Sequence, residues 1–166
     1  MNINISTGIG TGPTNLSAFD SALNHAGVAN FNLIRLSSVI PPKSKIIYTN
    51  PPIKKIEGNW GDKLFVVMAE QRVDTPNTEA WAGIGWVQDK NTGKGLFVEH
   101  EGNSEKKVRS DITQSLEALM ATRNVNFGEI QMKVVGRSCK HEPVCALVVA
   151  VYQSQSWEKS ISENLN

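Results

Sequence analysis

Cysteine is scarce in this chain: Cys139 and Cys145 are the only two in 166 residues. Two cannot staple a small scaffold together, and their spacing fits no zinc module. The three histidines, His25, His100 and His141, form no local cluster, so no metal site is expected. An excess of either charge is also missing. Lysine plus arginine is 17 and aspartate plus glutamate is 16, a net charge of +1. That balance gives no electrostatic footprint for nucleic acid or an anionic membrane, and neither is expected as a partner. No apolar run approaches the ~20 residues that span a bilayer. The first residues, Met1 to Ile5, have neither a basic n-region nor an apolar h-region. A secretory signal is therefore not expected, and a soluble cytoplasmic domain is. A phosphate loop is absent too. Gly8-Ile9-Gly10-Thr11-Gly12-Pro13 has proline where a dinucleotide fingerprint needs its third glycine, and no Walker lysine follows. The run reads as a flexible turn that lets backbone approach a partner or ligand.

What is present is an ordinary globular composition, 40% hydrophobic and 20% charged. The length fits one domain at roughly 100–200 residues each. Six segments read as strands: 31–36, 64–69, 80–87, 95–99, 130–135 and 144–151. Each is short, apolar and bounded by turn residues. Two helices are expected. The first runs from about Thr14 to Ala26, capped by Thr14 or Asn15 and stopped by Gly27, with Leu16, Phe19, Leu23 and Ala26 as its apolar face. The second runs from about Ser104 to Arg123, with Val108, Ile112, Leu116, Leu119 and Met120 as its stripe. This pattern predicts an α/β or α+β sandwich, each helix covering a sheet face. Residues 153–166 read as a polar tail with Trp157 as its anchor.

Three places hold chemistry in reserve. Asp20 shares a helical face with Leu16 and Leu23, so it is either a rim residue meeting water or an arginine, or a carboxylate for a cationic ligand. Leu36-Ser37-Ser38-Val39-Ile40-Pro41-Pro42 puts a serine pair between a strand end and a rigid break. Glu99 and Glu101 fall on one side of a strand and His100 on the other. Glu99 follows the apolar run Leu96-Phe97-Val98, and burial there would raise its pKa and suit it to act as an acid.

Taken in order, Leu16–Leu23, Gly27, Asn32–Pro42 and Gly95–Gly102 resemble the pyruvoyl-dependent arginine decarboxylases. The match covers most of residues 3–152, and the segment from Asn32 to the double proline is its most specific part. His100 stands where the family pattern has an aromatic, and Ala29 where it has glycine.

The resemblance implies an α+β fold, a four-layer α/β/β/α sandwich in one domain (1–152), assembling as a homotrimer or a dimer of trimers. It implies a proenzyme that cuts itself between Ser37 and Ser38 into chains 1–37 and 38–166. Ser38 becomes a covalent pyruvoyl group that stands in for pyridoxal phosphate. The substrate implied is L-arginine, converted to agmatine and carbon dioxide. Ser38, Glu99 and Asn32 are then the catalytic residues, with Glu99 the proton donor. Asp20 holds the guanidinium, and Leu23, Ala29 and Phe31 complete the substrate contacts. Asn32 and Ser38 lie six residues apart, ~20 Å in an extended strand, so they belong to different parts of a site, as in sites built between subunits. A pyruvoyl decarboxylase for another amino acid, or a non-catalytic ligand-binding homologue, are the alternatives.

Overall fold

The computed structural model describes residues 1–157. Along the chain run β1 (Asn2–Thr11), α1 (Asn15–Ala26), β2 (Asn32–Arg35), β3 (Val39–Ile40), β4 (Lys45–Tyr48) and β5 (Lys63–Val73). Then come β6 (Glu79–Gln88), β7 (Gly95–Gly102), α2 (Glu105–Ala121), β8 (Gln131–Ser138) and β9 (Val144–Gln155). The strands form two sheets, one ordered β2-β5-β9-β1-β4 and the other β3-β7-β6-β8. The domain is single and α+β.

Helix α1 begins where its sequence signals say. The Thr14 hydroxyl accepts from the Ser17 N–H while Ser17 accepts from the Thr14 N–H, a reciprocal cap that satisfies two orphan donors. Gly27, at φ +89°, ends the helix in the left-handed conformation that glycine takes without strain.

The buried face of α1 differs from the expected one. Ala18, Ala22, Leu23 and Ala26 are inside, whereas Leu16 is 68% exposed and Asp20 is exposed too. Strand β1 explains the rotation. A side chain at Gly8 would lie 2.1 Å from the Ala22 carbonyl oxygen, and one at Gly10 would lie 2.2 Å from that of Ala18. Helix and strand meet backbone to backbone, and the three alanines are what fits. The glycine run is therefore no turn: β1 continues through it to Thr11.

Helix α2 keeps its expected stripe, with Val108, Ile112 and Leu116 fully buried against the four-stranded sheet. A second core lies between α1 and the five-stranded sheet, around Ala22, Leu64, Val66 and Leu147. A third holds the two sheets together, with Ile3, Ile5, Ile40, Ile84, Phe97 and Val148.

Strand β9 reaches Gln155, which pairs with Lys63, so 153–155 belong to the sheet and not to a tail. Trp157 donates from Nε1 to the Gly61 carbonyl at 2.9 Å, under the Lys63 ammonium. Positions 158–166 of the expected tail lie outside the described residues. No helix among the described residues is long and apolar enough to cross a membrane.

Candidate active site

Ser38 sits where the chain leaves β2 for the two-residue strand β3. Its backbone is left-handed, φ +66°, a conformation uncommon outside glycine and a form of local strain. Two contacts hold it there. The Phe97 N–H donates to the Ser38 carbonyl at 2.8 Å. The Ser38 hydroxyl donates to Glu99 Oε1 at 2.5 Å, across 61 residues of sequence. Side-chain alternation along β7 makes this meeting possible. Phe97 lies in the core between the sheets, and Glu99, two residues on, shares its side. His100 turns to the other side, where its Nε2 meets Ser115 Oγ of α2 at 2.8 Å.

Burial pushes the Glu99 pKa above the ordinary carboxylate value. The Ser38 hydrogen bond, His100, Glu99's own backbone N–H and Arg35 all pull the other way without cancelling the rise. Arg35 is shared with Glu70, 3.5 Å away, and Glu70 is held more closely by Arg72 at 2.8 Å. An open cleft of about 530 Å³ adjoins the group, lined by Ser37, Ser38, Glu99, His100, Ser115 and Leu119 among others. A strained serine whose hydroxyl meets a half-buried carboxylate can pass its proton and attack an adjacent carbonyl.

The other site residues expected from sequence lie elsewhere on this chain. The Asn32 amide donates to the Gly61 carbonyl, the same oxygen that Trp157 uses. Leu23 is packed in the core under α1, with Ala29 and Phe31 partly buried beside it. Asp20 makes no hydrogen bond or ion pair among the described residues, and Arg35 is on Glu70. None of Asp20, Leu23, Ala29, Phe31 and Asn32 shares a hydrogen bond or ion pair with Ser38 or Glu99 among the described residues. Ser115 and Tyr152 were not foreseen. Tyr152 donates to the Val39 carbonyl at 3.0 Å across 113 residues, a contact with no local sequence signal.

Residues 2–157 match the family Pyruvoyl-dependent arginine decarboxylase (PvlArgDC). A pyruvoyl-dependent arginine decarboxylase of Halobacterium salinarum is 33% identical over 156 residues, 90% of this chain and 92% of that protein. Proteins of the same name from Thermoplasma volcanium and Picrophilus torridus are each 35% identical, over 68% and 59% of this chain. Those two matches span 62% and 53% of the relatives' own lengths. A solved pyruvoyl-dependent histidine decarboxylase superposes with a TM-score of 0.44 at 13% identity, over 63% of this chain and 55% of that one. With residues 2–157 matched by the family and a relative 33% identical over 90% of the chain, this chain belongs to the pyruvoyl-dependent arginine decarboxylase family.

Proposed function

We propose that the chain is a proenzyme that cuts itself between Ser37 and Ser38 and then decarboxylates L-arginine to agmatine and carbon dioxide. The observation that carries this reading is the Ser38 hydroxyl donating to Glu99 from a strained, left-handed residue beside an open cleft.

Maturation balances without any oxidant. The Ser38 oxygen attacks the Ser37 carbonyl carbon while its proton passes to Glu99. The peptide C–N bond breaks, an ester forms, and the nitrogen of residue 38 takes up a proton. Loss of the α-proton of residue 38 then expels the Ser37 carboxylate and leaves a dehydroalanine. Water displaces its nitrogen as ammonia, and the ketone of a pyruvoyl group remains on chain 38–166.

The residues around Ser38 fit such a group. The carbonyl of residue 38 is already held by the Phe97 N–H, and the half-buried Glu99 carboxyl stands at the side chain. When present, a pyruvoyl group supplies an electrophilic ketone conjugated to an amide, an electron sink for the carbon that loses carbon dioxide. Glu99 keeps a proton at hand because burial favours its neutral form, and delivers it to that carbon. Leu96, Val98 and Leu119 keep that stretch of the cleft apolar, which strengthens the local electrostatics.

Asp20 makes no hydrogen bond or ion pair among the described residues, and we read it as the partner of a guanidinium from a neighbouring copy's substrate. We therefore read the assembly as a homotrimer whose sites combine Ser38 and Glu99 of one copy with Asp20, Leu23, Ala29, Phe31 and Asn32 of the next. The same reading takes the fold as a four-layer α/β/β/α sandwich, supported by the three separate cores. Intact mass tests the first step: wild type should give two chains, the larger beginning with a carbonyl at residue 38. Carbon dioxide release from a panel of amino acids should then single out arginine. One uncut chain of full mass after purification, inert toward every amino acid, overturns the reading.

A further inference from the structure

Cutting after Ser37 makes residue 38 a chain end, and chain ends fray unless something ties them down. Strand β3 is a weak tether by itself. It is two residues long and meets β7 only at Val39↔Leu96 and Ile40↔Gly95, before Pro41 and Pro42 interrupt the ladder. A reactive carbonyl on such an end needs an additional restraint.

The register shows where one can act. In an antiparallel ladder, alternate residues turn their N–H and C=O groups away from the partner strand. Ser38 takes its carbonyl hydrogen bond from Phe97, so Val39 is the residue whose carbonyl faces away. Strand β3 is the edge of its sheet, and no strand among the described residues lies on that side. The Val39 carbonyl is met instead by the Tyr152 hydroxyl at 3.0 Å, from β9 of the opposite sheet. The ring of Tyr152 packs edge-on against Phe97, with centroids 6.2 Å apart. Phe97 is the residue whose N–H holds the carbonyl of residue 38. Two consecutive carbonyls at the cut are therefore fixed by two groups that pack on each other. Burial and nearby Glu99 both push the Tyr152 hydroxyl's pKa up, so it keeps its proton and remains a donor.

We infer that Tyr152 is a positioning residue for self-cleavage at Ser38 and for the carbonyl that cleavage leaves, acting through its hydrogen bond to the Val39 carbonyl. This rests on the proenzyme reading above. Tyr152 touches neither the scissile bond nor the hydroxyl that attacks it. It holds the peptide just beyond them in register, so that the Ser38 hydroxyl and Glu99 stay aligned.

Tyr152→Phe tests the idea, because it keeps the ring packing and deletes only the donor. Three quantities are read on wild type and variant: the half-time for one chain to become two, the rate at which borohydride reduces the matured carbonyl, and the thermal midpoint. The half-time should lengthen by about two- to ten-fold, the worth of one neutral hydrogen bond. The matured carbonyl, less firmly held, should be reduced faster. A near-ultraviolet circular dichroism spectrum identical to wild type would show that the fold is kept. If wild type processes and the variant matches it in both rates, with only the thermal midpoint lowered, Tyr152 is merely structural and the inference is wrong. If wild type itself never processes, the proenzyme reading fails first.

Discussion

The proposed function asks a single side chain, Glu99, for two opposite services. As a carboxylate it can take the proton of the Ser38 hydroxyl; as a carboxylic acid it can protonate substrate carbon. Its raised pKa sets the order. Self-cleavage should slow as pH falls through the raised value, and turnover by matured enzyme should fall as pH rises through it. Following processing on denaturing gels and turnover on pre-matured enzyme, over one pH series, checks both limbs. The Ser38 hydrogen bond is among the influences that lower the Glu99 pKa, and the proposed maturation would consume that hydroxyl. Glu99 should therefore hold its proton to higher pH after the cut than before it. The same shift governs stability. Because the folded pKa lies above the unfolded one, the contribution of Glu99 is fully present below its ordinary value of 4.5 and is lost as pH rises through the raised value. Glu99→Gln should flatten that part of a urea-midpoint-against-pH curve, while cutting turnover by about 10²–10⁴-fold. Ser38→Ala should remain one uncut chain on a denaturing gel; normal cleavage there would remove Ser38 from its assigned role. At this scale the sequence showed the serine pair and the apolar approach to Glu99. It did not show that the two touch, since 61 residues separate them and β3 is too short to announce itself.

Among the elements, α1 and β1 show what a hydrophobicity count overlooks. Leu16 and Leu23 outweigh alanine on any apolar scale, so the expected face included both. The decisive quantity was distance, because Gly8 and Gly10 bring β1 to within touching range of the helix backbone and only alanines fit that approach. The capping signals at Thr14 and Gly27, by contrast, are local and read correctly. Strand β1 escaped notice through its glycines, and β4 through its position just after Pro41 and Pro42. Two glycine substitutions separate close approach from mere flexibility. At Gly10 a methyl group would meet backbone at 2.2 Å, so the helix itself must move. Gly10→Ala should cost about 3 kcal/mol and lower Tm by roughly 6–12 °C. At Gly102 a methyl group would meet only Val108 Cγ2 at 3.6 Å, an ordinary contact. Gly102→Ala should stay within about 0.5 kcal/mol of wild type. Thermal melts of the two side by side make the comparison, and equal losses would refute the packing argument.

For the whole molecule, the proposed reading builds one site from residues of two neighbouring copies. On the proposed trimer, copies carrying Glu99→Gln and copies carrying Asp20→Asn are each inactive or weak alone. Co-expressed in equal amounts, they should regain activity, because roughly one interface in four then unites an intact Glu99 with an intact Asp20. Activity no higher than that of the separate variants would place Asp20 outside the site. The cut has another effect, traceable to strand order. Chain 1–37 would carry β1, α1 and β2, and β1 lies inside its sheet between β9 and β4. Strand β4 would belong to the larger chain, yet among the described residues it pairs only with β1. On the proposed cut the small fragment would be a keystone, enclosed by the larger chain. Folding begins as a one-body event in the proenzyme, and after cleavage the reverse journey needs two bodies to meet. A matured molecule that unfolds and is then diluted should recover its shape at a speed set by concentration, whereas uncut Ser38→Ala should recover at a speed independent of it. Processing would make assembly a ratchet: the protein builds its reactive group once, and in doing so gives up the easy way back to its own fold.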